Sequence, residues 1–250
     1  MIKRGLAIIL GSIVISGGLV FANSYDPNTW SRTIDFQGIQ YKVKDSGNDV
    51  MGPNANNWSD SEDNVNIDAK GNLNLNLVNR NNKWYASEVV VPLDMGYGRY
   101  EFRVIGNMDK IDSNVMASMF LYSNDNQEID IEFSDFKPDS EISQEGNMQF
   151  VMQPYYKAGN LNRFRFKQGG SYTSYVIDFR EKAVKFEAYH GHDTSNKKNL
   201  IREWTYTGKD IPSPEGLKLR ANIYIRGKSE PKTDSTLGFK FKRIKFTPQS

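Results

Sequence analysis

The chain has 250 residues, of which 38% are hydrophobic and 25% are charged, so it can build a globular core and is not a disordered chain. Its 32 Lys and Arg residues against 30 Asp and Glu residues leave a formal charge of +2, which is too small to favour nucleic acid as a partner. The absence of Cys and the presence of only 2 His residues argue against disulfides, thiolate nucleophiles and zinc sites, so carboxylate, amide and aromatic side chains must carry the chemistry.

The amino terminus has the pattern of a secretory signal peptide. A short basic stretch precedes an apolar run (residues 5–21) without charged residues, and the small or β-branched residues Val20 and Ala22 fit cleavage after Ala22. We therefore predict a signal peptide over residues 1–22 and a single mature domain over residues 23–250, either periplasmic or secreted. Retention of the run as a membrane anchor is the alternative; after cleavage, no membrane association is expected.

The rest of the chain is a succession of short alternating runs rich in Val, Ile, Phe and Tyr, separated by Gly, Asn, Asp and Pro. Such runs predict β-strands, and no sustained helical period is present. So many strands in one domain predict an all-β sandwich of two packed antiparallel sheets. The predicted strands are Ile34–Lys44, Asn72–Val78, Trp84–Val91, Gly98–Ile105, Val115–Tyr122, Glu128–Phe133, Met148–Gln153, Asn162–Phe166, Thr173–Phe179, Ala183–Tyr189, Leu200–Tyr206, Leu217–Ile225 and Gly238–Phe246.

The longest polar segment lies between the first two predicted strands. It runs from Asp45 to Asp63, is dense in Asn, Asp and Ser, and contains Trp58. Long loops in compact domains are usually functional, so we expect this segment to border a site.

The most informative strand alternates strictly between apolar and acidic residues. Ile129, Ile131 and Phe133 are expected on one face of this strand. The other face carries Glu128, Asp130 and Glu132. A solvated outer face would normally carry both acidic and basic residues. Three carboxylates without a cation between them repel each other at close range. Either a calcium ion or acid–base chemistry would explain the cluster, and the alternation alone leaves both open.

These residues resemble the catalytic strand of glycoside hydrolase family 16, the β-jelly-roll group that includes lichenases and laminarinases. Another strand of that family is similar to the segment Tyr97-Gly98-Arg99-Tyr100-Glu101. Three further segments resemble family strands and occur in the family's order: residues 114–122, 175–191 and 222–224. The resemblance covers roughly residues 35–246. It implies a β-jelly-roll sandwich of two curved sheets, of the concanavalin A-like kind.

The resemblance also implies a reaction and its residues. Glu128 would be the nucleophile, Glu132 the general acid and then the base, and Asp130 the group that orients the nucleophile, as in a retaining glycosidase. The expected protein is an exported endo-glycosidase that hydrolyses a β-linked polysaccharide, most plausibly β-glucan, as a monomer and without a cofactor. A structural calcium ion is left open.

The sequence departs from the family pattern around the carboxylates. Asn126-Gln127 stands where lichenase-like members have Trp-Asp, and Glu88-Val89-Val90 stands where an acid, an aromatic and an Arg would be expected. The regular Glu-x-Asp-x-Glu spacing is itself typical of members that act on mixed-linkage glucan or xyloglucan. The implied catalytic residues are therefore present, while the surrounding sugar-binding residues differ.

Five further residues are candidates for substrate binding. Tyr122, Tyr224 and Trp58 are expected to stack on sugar rings, because aromatic faces cover the apolar side of a pyranose. Gln153 and Asn222 are expected to bind sugar hydroxyls. The alternative for each is an ordinary structural role, as core aromatics or strand polar residues.

Two other functions use the same acidic strand. A non-catalytic carbohydrate-binding protein would share the scaffold, and a calcium-dependent structural or adhesive module would use the three carboxylates as ligands. The pair His190 and His192 is interpreted as part of a solvated turn, so no metal site is predicted there.

Overall fold

The computed structural model describes residues 29–138, 140, 142–232 and 237–249. Besides two short 3₁₀ turns, Met108–Lys110 and Lys197–Asn199, the elements are all strands. In chain order these are β1 Arg32–Phe36, β2 Ile39–Val43, β3 Val65–Ile67, β4 Leu73–Arg80, β5 Lys83–Tyr85, β6 Ser87–Asp94, β7 Gly98–Ile105, β8 Val115–Asn124, β9 Gln127–Phe136, β10 Gly146–Met152, β11 Leu161–Phe164, β12 Tyr172–Arg180, β13 Ala183–His190, β14 Leu200–Tyr206, β15 Lys218–Ile225 and β16 Leu237–Pro248.

The strands form two eight-stranded sheets in which every strand pair is antiparallel. The first sheet has the order β1-β2-β6-β15-β8-β9-β10-β11. The second has the order β14-β13-β12-β7-β16-β4-β3, with β5 paired to β4. The predicted all-β sandwich of two antiparallel sheets is confirmed.

The core lies between the sheets and is built from alternate residues of their strands. Ile129, Ile131 and Phe133 of β9 are completely buried, as the alternation predicts. Phe133 contacts Tyr175 of β12 with ring centroids 4.9 Å apart, which ties the first sheet to the second. The opposite face of β9 is thereby left to its acidic residues.

The predicted strand Ile34–Lys44 is wrong as a single element, because it forms the hairpin β1–β2. Gln37 and Gly38 connect the two strands with φ angles of 58° and 80°. A two-residue turn with positive φ at both positions matches the twist of an antiparallel pair. The Gly in second place permits this turn, and the alternation of side chains continues on both sides of it.

The predicted strand Trp84–Val91 is also divided, at Ala86. The part before Ala86 is β5, which pairs with β4 and so joins the second sheet. The part after it is β6, which pairs with β2 and β15 in the first sheet. Residues on both sides of Ala86 are buried, the polar Ser87 and Glu88 included, so the period of the sequence did not reveal the division.

The predicted signal peptide lies outside the described residues. Within the described ranges, no helix is long and apolar enough to cross a membrane.

Candidate active site

The acidic face of β9 lies in a cleft of the first sheet. β9 pairs with β8 on one side and with β10 on the other. Glu128, Asp130 and Glu132 all line this cleft, whose volume is about 680 Å³. Alternate residues of one strand point to the same face of the sheet, so the three carboxyl groups of β9 share one cavity between β8 and β10.

Four of the five predicted substrate-binding residues line the same cleft as the three carboxyl groups: Tyr122, Gln153, Asn222 and Tyr224. They come from different strands or from the segment that follows β10. Register explains their convergence: Tyr122 on β8 lies opposite Glu128, and the backbone N–H of Gln153 donates to the Glu128 carbonyl at 3.1 Å. Contact of these side chains with a substrate remains a prediction.

Trp58 requires a correction, because its side chain is completely buried and offers no face to a sugar. Its indole Nε1 donates to the Met51 carbonyl at 3.1 Å, and its ring packs against Tyr224 with centroids 6.1 Å apart. The Lys44 ammonium lies 3.9 Å from its ring centroid. Trp58 thus supports the cleft from behind, and only the tertiary fold could show which side of the loop it faces.

The loop around Trp58 does border the cleft, as expected. Gly52 and Pro53 line the cavity, and a two-residue bridge between Met51 and Asn56 closes this part of the loop. The Asn56 side chain holds it to β15, because it donates to the Ile225 carbonyl at 3.0 Å and accepts from the Ile225 N–H at 2.9 Å.

The three carboxyl groups differ in their surroundings. Asp130 is 2% exposed, whereas Glu128 and Glu132 are half-buried. The Gln153 amide donates to Asp130 at 3.4 Å, and the Gln149 amide donates to Glu132 at 2.5 Å. Asp130 is therefore the enclosed member, and the two glutamates are the members that a ligand can reach.

A hydrogen-bonded chain holds Glu132 in place. Arg163 Nε donates to Gln149 Oε1 at 2.7 Å, which orients the amide so that its NH₂ group faces Glu132. Arg163 is itself buried and also donates to the Gln144 carbonyl at 3.0 Å. Gln149 and Arg163 are site residues that the sequence did not single out, since each is an ordinary strand polar residue until the register is known.

Burial raises the pKa of all three carboxyl groups. The pKa of Glu128 rises to about 8, mainly through loss of solvation, although a hydrogen bond from Asp130 and the charge of Arg220 lower it. The pKa of Asp130 is raised well above its usual value by burial and by its two acidic neighbours. The pKa of Glu132 is also raised by burial, against the opposing effects of Gln149, Arg226 and Arg163. The site therefore retains protons at a pH where isolated carboxyl groups have lost them.

A buried ion triad forms another part of the cleft. Glu88 is 2% exposed and pairs with Lys44 Nζ and with Arg220 NH1, each at 3.0 Å. The Arg220 guanidinium also lies 4.6 Å from the ring centroid of Tyr122. In the sequence, Glu88 is recognisable only as a departure from the family pattern. The alternation of Lys218, Arg220 and Asn222 on β15 is the signal that could have pointed to the triad.

Arg220 lies next to Val90, one of the positions where the sequence departs from the family pattern. In the register of β6 and β15, Arg220 lies opposite Val90, the position where an Arg was expected from the family pattern. Its guanidinium reaches Glu88 from the neighbouring strand. A cation thus lies beside Glu88 although β6 itself lacks one there.

Two exposed aromatic residues stand at the rim of the cleft. Tyr155 and Tyr156 line it with 40% and 65% of their surface exposed. Their ring centroids are 5.9 Å apart. They were not predicted, because a Tyr pair after a strand is equally compatible with packing.

The described residues contain no group of three or more His, Cys, Asp or Glu side chains that could hold a metal ion. The calcium-dependent alternative therefore gains no support from the acidic strand. His192 contacts the Val104 carbonyl at 3.0 Å and the ring of Tyr172, far from the cleft in the fold.

No family model matches the chain, and no curated protein matches it. Solved structures do resemble it. A β-glucanase of Bacillus licheniformis is 20% identical with a TM-score of 0.59, and the match covers 91% of this chain and 96% of that one. An immunostimulatory antigen and pseudo β-1,3-glucanase of Mycobacterium tuberculosis is 16% identical with a TM-score of 0.61, covering 84% and 91%.

A third structure is a prokaryotic β-1,3-1,4-glucanase, or lichenase, from a mouse hindgut metagenome. It is 19% identical with a TM-score of 0.57, and the match covers 84% of this chain and 93% of that one. At these identities the likeness establishes the fold. The chain has the β-jelly-roll sandwich of these proteins, as the sequence predicted.

Proposed function

We propose that this chain is a retaining endo-glycosidase of the family 16 kind, which hydrolyses a β-linked polysaccharide of the β-glucan class. The observation that carries the proposal is that three carboxyl groups of one strand, all with raised pKa, lie in one cleft. Residues from several other strands line the same cleft. The fold shared with proteins described as glucanases supports the choice of substrate class.

In the proposed first step, the Glu128 carboxylate attacks the anomeric carbon and forms a glycosyl ester. The bond from that carbon to the glycosidic oxygen breaks, and Glu132 gives its proton to the departing oxygen. In the second step Glu132 removes a proton from water, whose oxygen attacks the anomeric carbon and releases Glu128 as a carboxylate. Protons and bonds then balance over the cycle without a cofactor.

Asp130 has a separate part in this mechanism. Its enclosed position favours the neutral acid, which can donate a hydrogen bond to Glu128. That bond lowers the pKa of Glu128 and holds its side chain in one orientation. Asp130 would thus ease the ionisation of the nucleophile and aim its side chain, although it does not itself react.

The remaining cleft residues suit a neutral sugar chain. Tyr122, Tyr155 and Tyr156 supply aromatic faces, while Asn222 and Gln153 supply amides for hydroxyl groups. The Asn222 Oδ1 atom is buried and has no hydrogen-bond partner in the described part of the chain.

A non-catalytic carbohydrate-binding protein is the second candidate. It is favoured by one comparison, since the Mycobacterium tuberculosis structure is described as a pseudo β-1,3-glucanase. The differences from the family pattern around the carboxylates also fit a changed cleft. Export, the monomeric state and independence from a cofactor or calcium ion stay predictions under both candidates.

Release of reducing ends from mixed-linkage β-glucan, β-1,3-glucan, xyloglucan, agar and carrageenan tests the proposal. We expect the unaltered chain to cut at least one β-glucan and Glu128→Gln to lose activity by about 10³-fold or more, because the amide cannot attack the anomeric carbon. If a polysaccharide binds but none is cut, the enzyme proposal fails and the binding protein remains.

A further inference from the structure

A second cavity lies beside the cleft, at the open side of the sandwich. This side groove has a volume of about 590 Å³ and runs between β14, the edge strand of the second sheet, and the segment 157–160. Its wall includes Trp204, Tyr206, Asn160, Lys157 and Asp210. Nothing in the proposed reaction uses these residues.

An aromatic stack ends in this groove. Phe150 of β10, Phe186 of β13 and Trp204 of β14 have successive ring centroids 5.1 Å and 5.3 Å apart and interplanar angles of 19° and 20°. Phe186 lies on the inner neighbour of the edge strand and covers one face of Trp204, so the other face of the indole points outward from the sheet. In the described part of the chain, the other ring contact of Trp204 is edge-on, with Tyr206. A rigid, partly exposed indole face is thereby presented to the groove.

Polar groups surround this face in a fixed arrangement. The Lys157 ammonium pairs with Asp210 Oδ1 at 2.6 Å, and the Asn160 amide donates to Asp210 Oδ2 at 3.1 Å. The Tyr206 hydroxyl donates to Asn160 Oδ1 at 2.9 Å. The charges of Lys157 and Asp210 offset each other, and Lys209 is the third charged residue of a lining that otherwise consists of uncharged residues. Its hydroxyl, amide and aromatic groups suit a ligand with many hydroxyl groups.

One short segment of the chain contributes to the walls of both the cleft and the side groove. Tyr155 and Tyr156 line the cleft, and the next residues, from Lys157 to Asn160, line the side groove. The two cavities are thus neighbours along the chain, with Tyr156 of the cleft next to Lys157 of the groove.

We propose that the side groove binds a further segment of a neutral glycan, with a pyranose ring stacked on Trp204, and so extends the surface that holds a long polysaccharide. This proposal rests on the proposed function, since the cleft must hold the same chain. The aromatic face, the polar and mostly uncharged rim and the neighbouring cleft are each features of a sugar site.

Binding to soluble mixed-linkage β-1,3-1,4-glucan, measured as retardation of the full chain in native gels, tests the proposal in a Glu128→Gln background that leaves the polymer uncut. Trp204→Ala removes the indole face. Ala158→Arg fills the groove from an exposed position and keeps the aromatic stack. Tyr172→Ala, which removes an aromatic residue of 54% exposure away from both cavities, is the matched control.

We expect both groove variants to bind the polymer about 5- to 10-fold more weakly than the parent, and the control to bind as the parent does. Turnover of a short aryl oligosaccharide, which the cleft holds alone, should be unchanged when Glu128 is present. Unweakened binding by Ala158→Arg overturns the proposal, even if Trp204→Ala is impaired, because loss of the stack alone would explain the latter. Failure of the parent to bind also overturns it, whereas absence of hydrolysis with intact groove-dependent binding contradicts only the proposed function.

Discussion

Glu132 shows how one side chain can be held in place while its surroundings raise its pKa. Burial raises its pKa, while the Gln149 amide and the nearby Arg226 and Arg163 guanidinium groups lower it. The net rise extends to higher pH the range in which Glu132 is the neutral acid, which is the form that can donate a proton to a departing oxygen. The same side chain is half-buried, so a substrate can reach it.

The Glu132→Ala variant should separate the acid role from simple binding. We expect it to slow hydrolysis of an unactivated β-glucan by about 10²- to 10³-fold, and to slow an aryl glycoside with a good leaving group much less, because the latter departs without a proton. Steady-state kcat for the two substrates measures the difference. Equal losses on both would remove Glu132 from the acid role.

Arg220 acts on Glu128 through charge. Its guanidinium lowers the pKa of Glu128, so its loss should raise that pKa further. Since Glu128 must be ionised to attack, the acidic limb of kcat/KM in Arg220→Met should move to higher pH. The pH profile measures the shift, and the exposed Arg243→Met on the second sheet is the control. An unmoved acidic limb would contradict the electrostatic role.

At the scale of elements, the register of the first sheet aligns polar residues in a row across six strands. Each residue of the row lies opposite its neighbour in the next strand. The row consists of Glu88 on β6, Asn222 on β15, Ser118 on β8, Glu132 on β9, Gln149 on β10 and Arg163 on β11. Strand pairing thus places the proposed acid in the middle of a band of hydrogen-bonding groups.

Replacement of Gln149 tests whether this row positions Glu132. In Gln149→Met the amide donor to Glu132 is lost, so the carboxylate form is less stable and the pKa of Glu132 rises. We expect the alkaline limb of kcat/KM to move to higher pH and kcat to fall about tenfold, with little change in KM. A fall in stability with an unchanged pH profile would indicate a purely structural role for Gln149.

At the scale of the whole molecule, the acidic cluster links stability to pH. A carboxyl group whose pKa is higher in the folded state binds a proton more tightly there than in the unfolded chain. Its contribution is fully present below the unfolded pKa, near 4.5, and is lost as pH rises through the folded value, which for Glu128 is about 8. The surrounding network of surface ion pairs does not reverse this sign, because exposed pairs contribute little.

The free energy of unfolding should therefore decrease from about pH 5 to about pH 9 by on the order of 2 kcal/mol, after allowance for the partial exposure of Glu128. In Glu128→Gln the decrease should be smaller, since the amide does not ionise. Denaturant titrations at several pH values measure both slopes. Identical slopes in the two proteins would show that Glu128 ionises normally in the folded state.

The local sequence was sufficient to predict the features that depend on a single strand. Side chains alternate across a strand, so the pattern of residues 127–133 correctly assigned Ile129 and Ile131 to the core and the three acids to the opposite face. The division of Trp84–Val91 between two sheets could not be predicted, because residues on both sides of Ala86 are buried, the polar Ser87 and Glu88 included. The burial of Trp58 could not be predicted either, because its loop can turn the indole towards the cleft or the core.

The sequence by itself determined the class of fold, the acidic face of β9 and the chemistry available to it, since these depend on composition and on the period of a single strand. Only the tertiary structure decided that Arg220 pairs with Glu88, that Arg163 orients Gln149 towards Glu132, and that an aromatic stack ends at Trp204 beside the cleft. Each of these depends on the register between strands that are distant in the chain. Local propensities do not specify that register; the packing of the whole sandwich does.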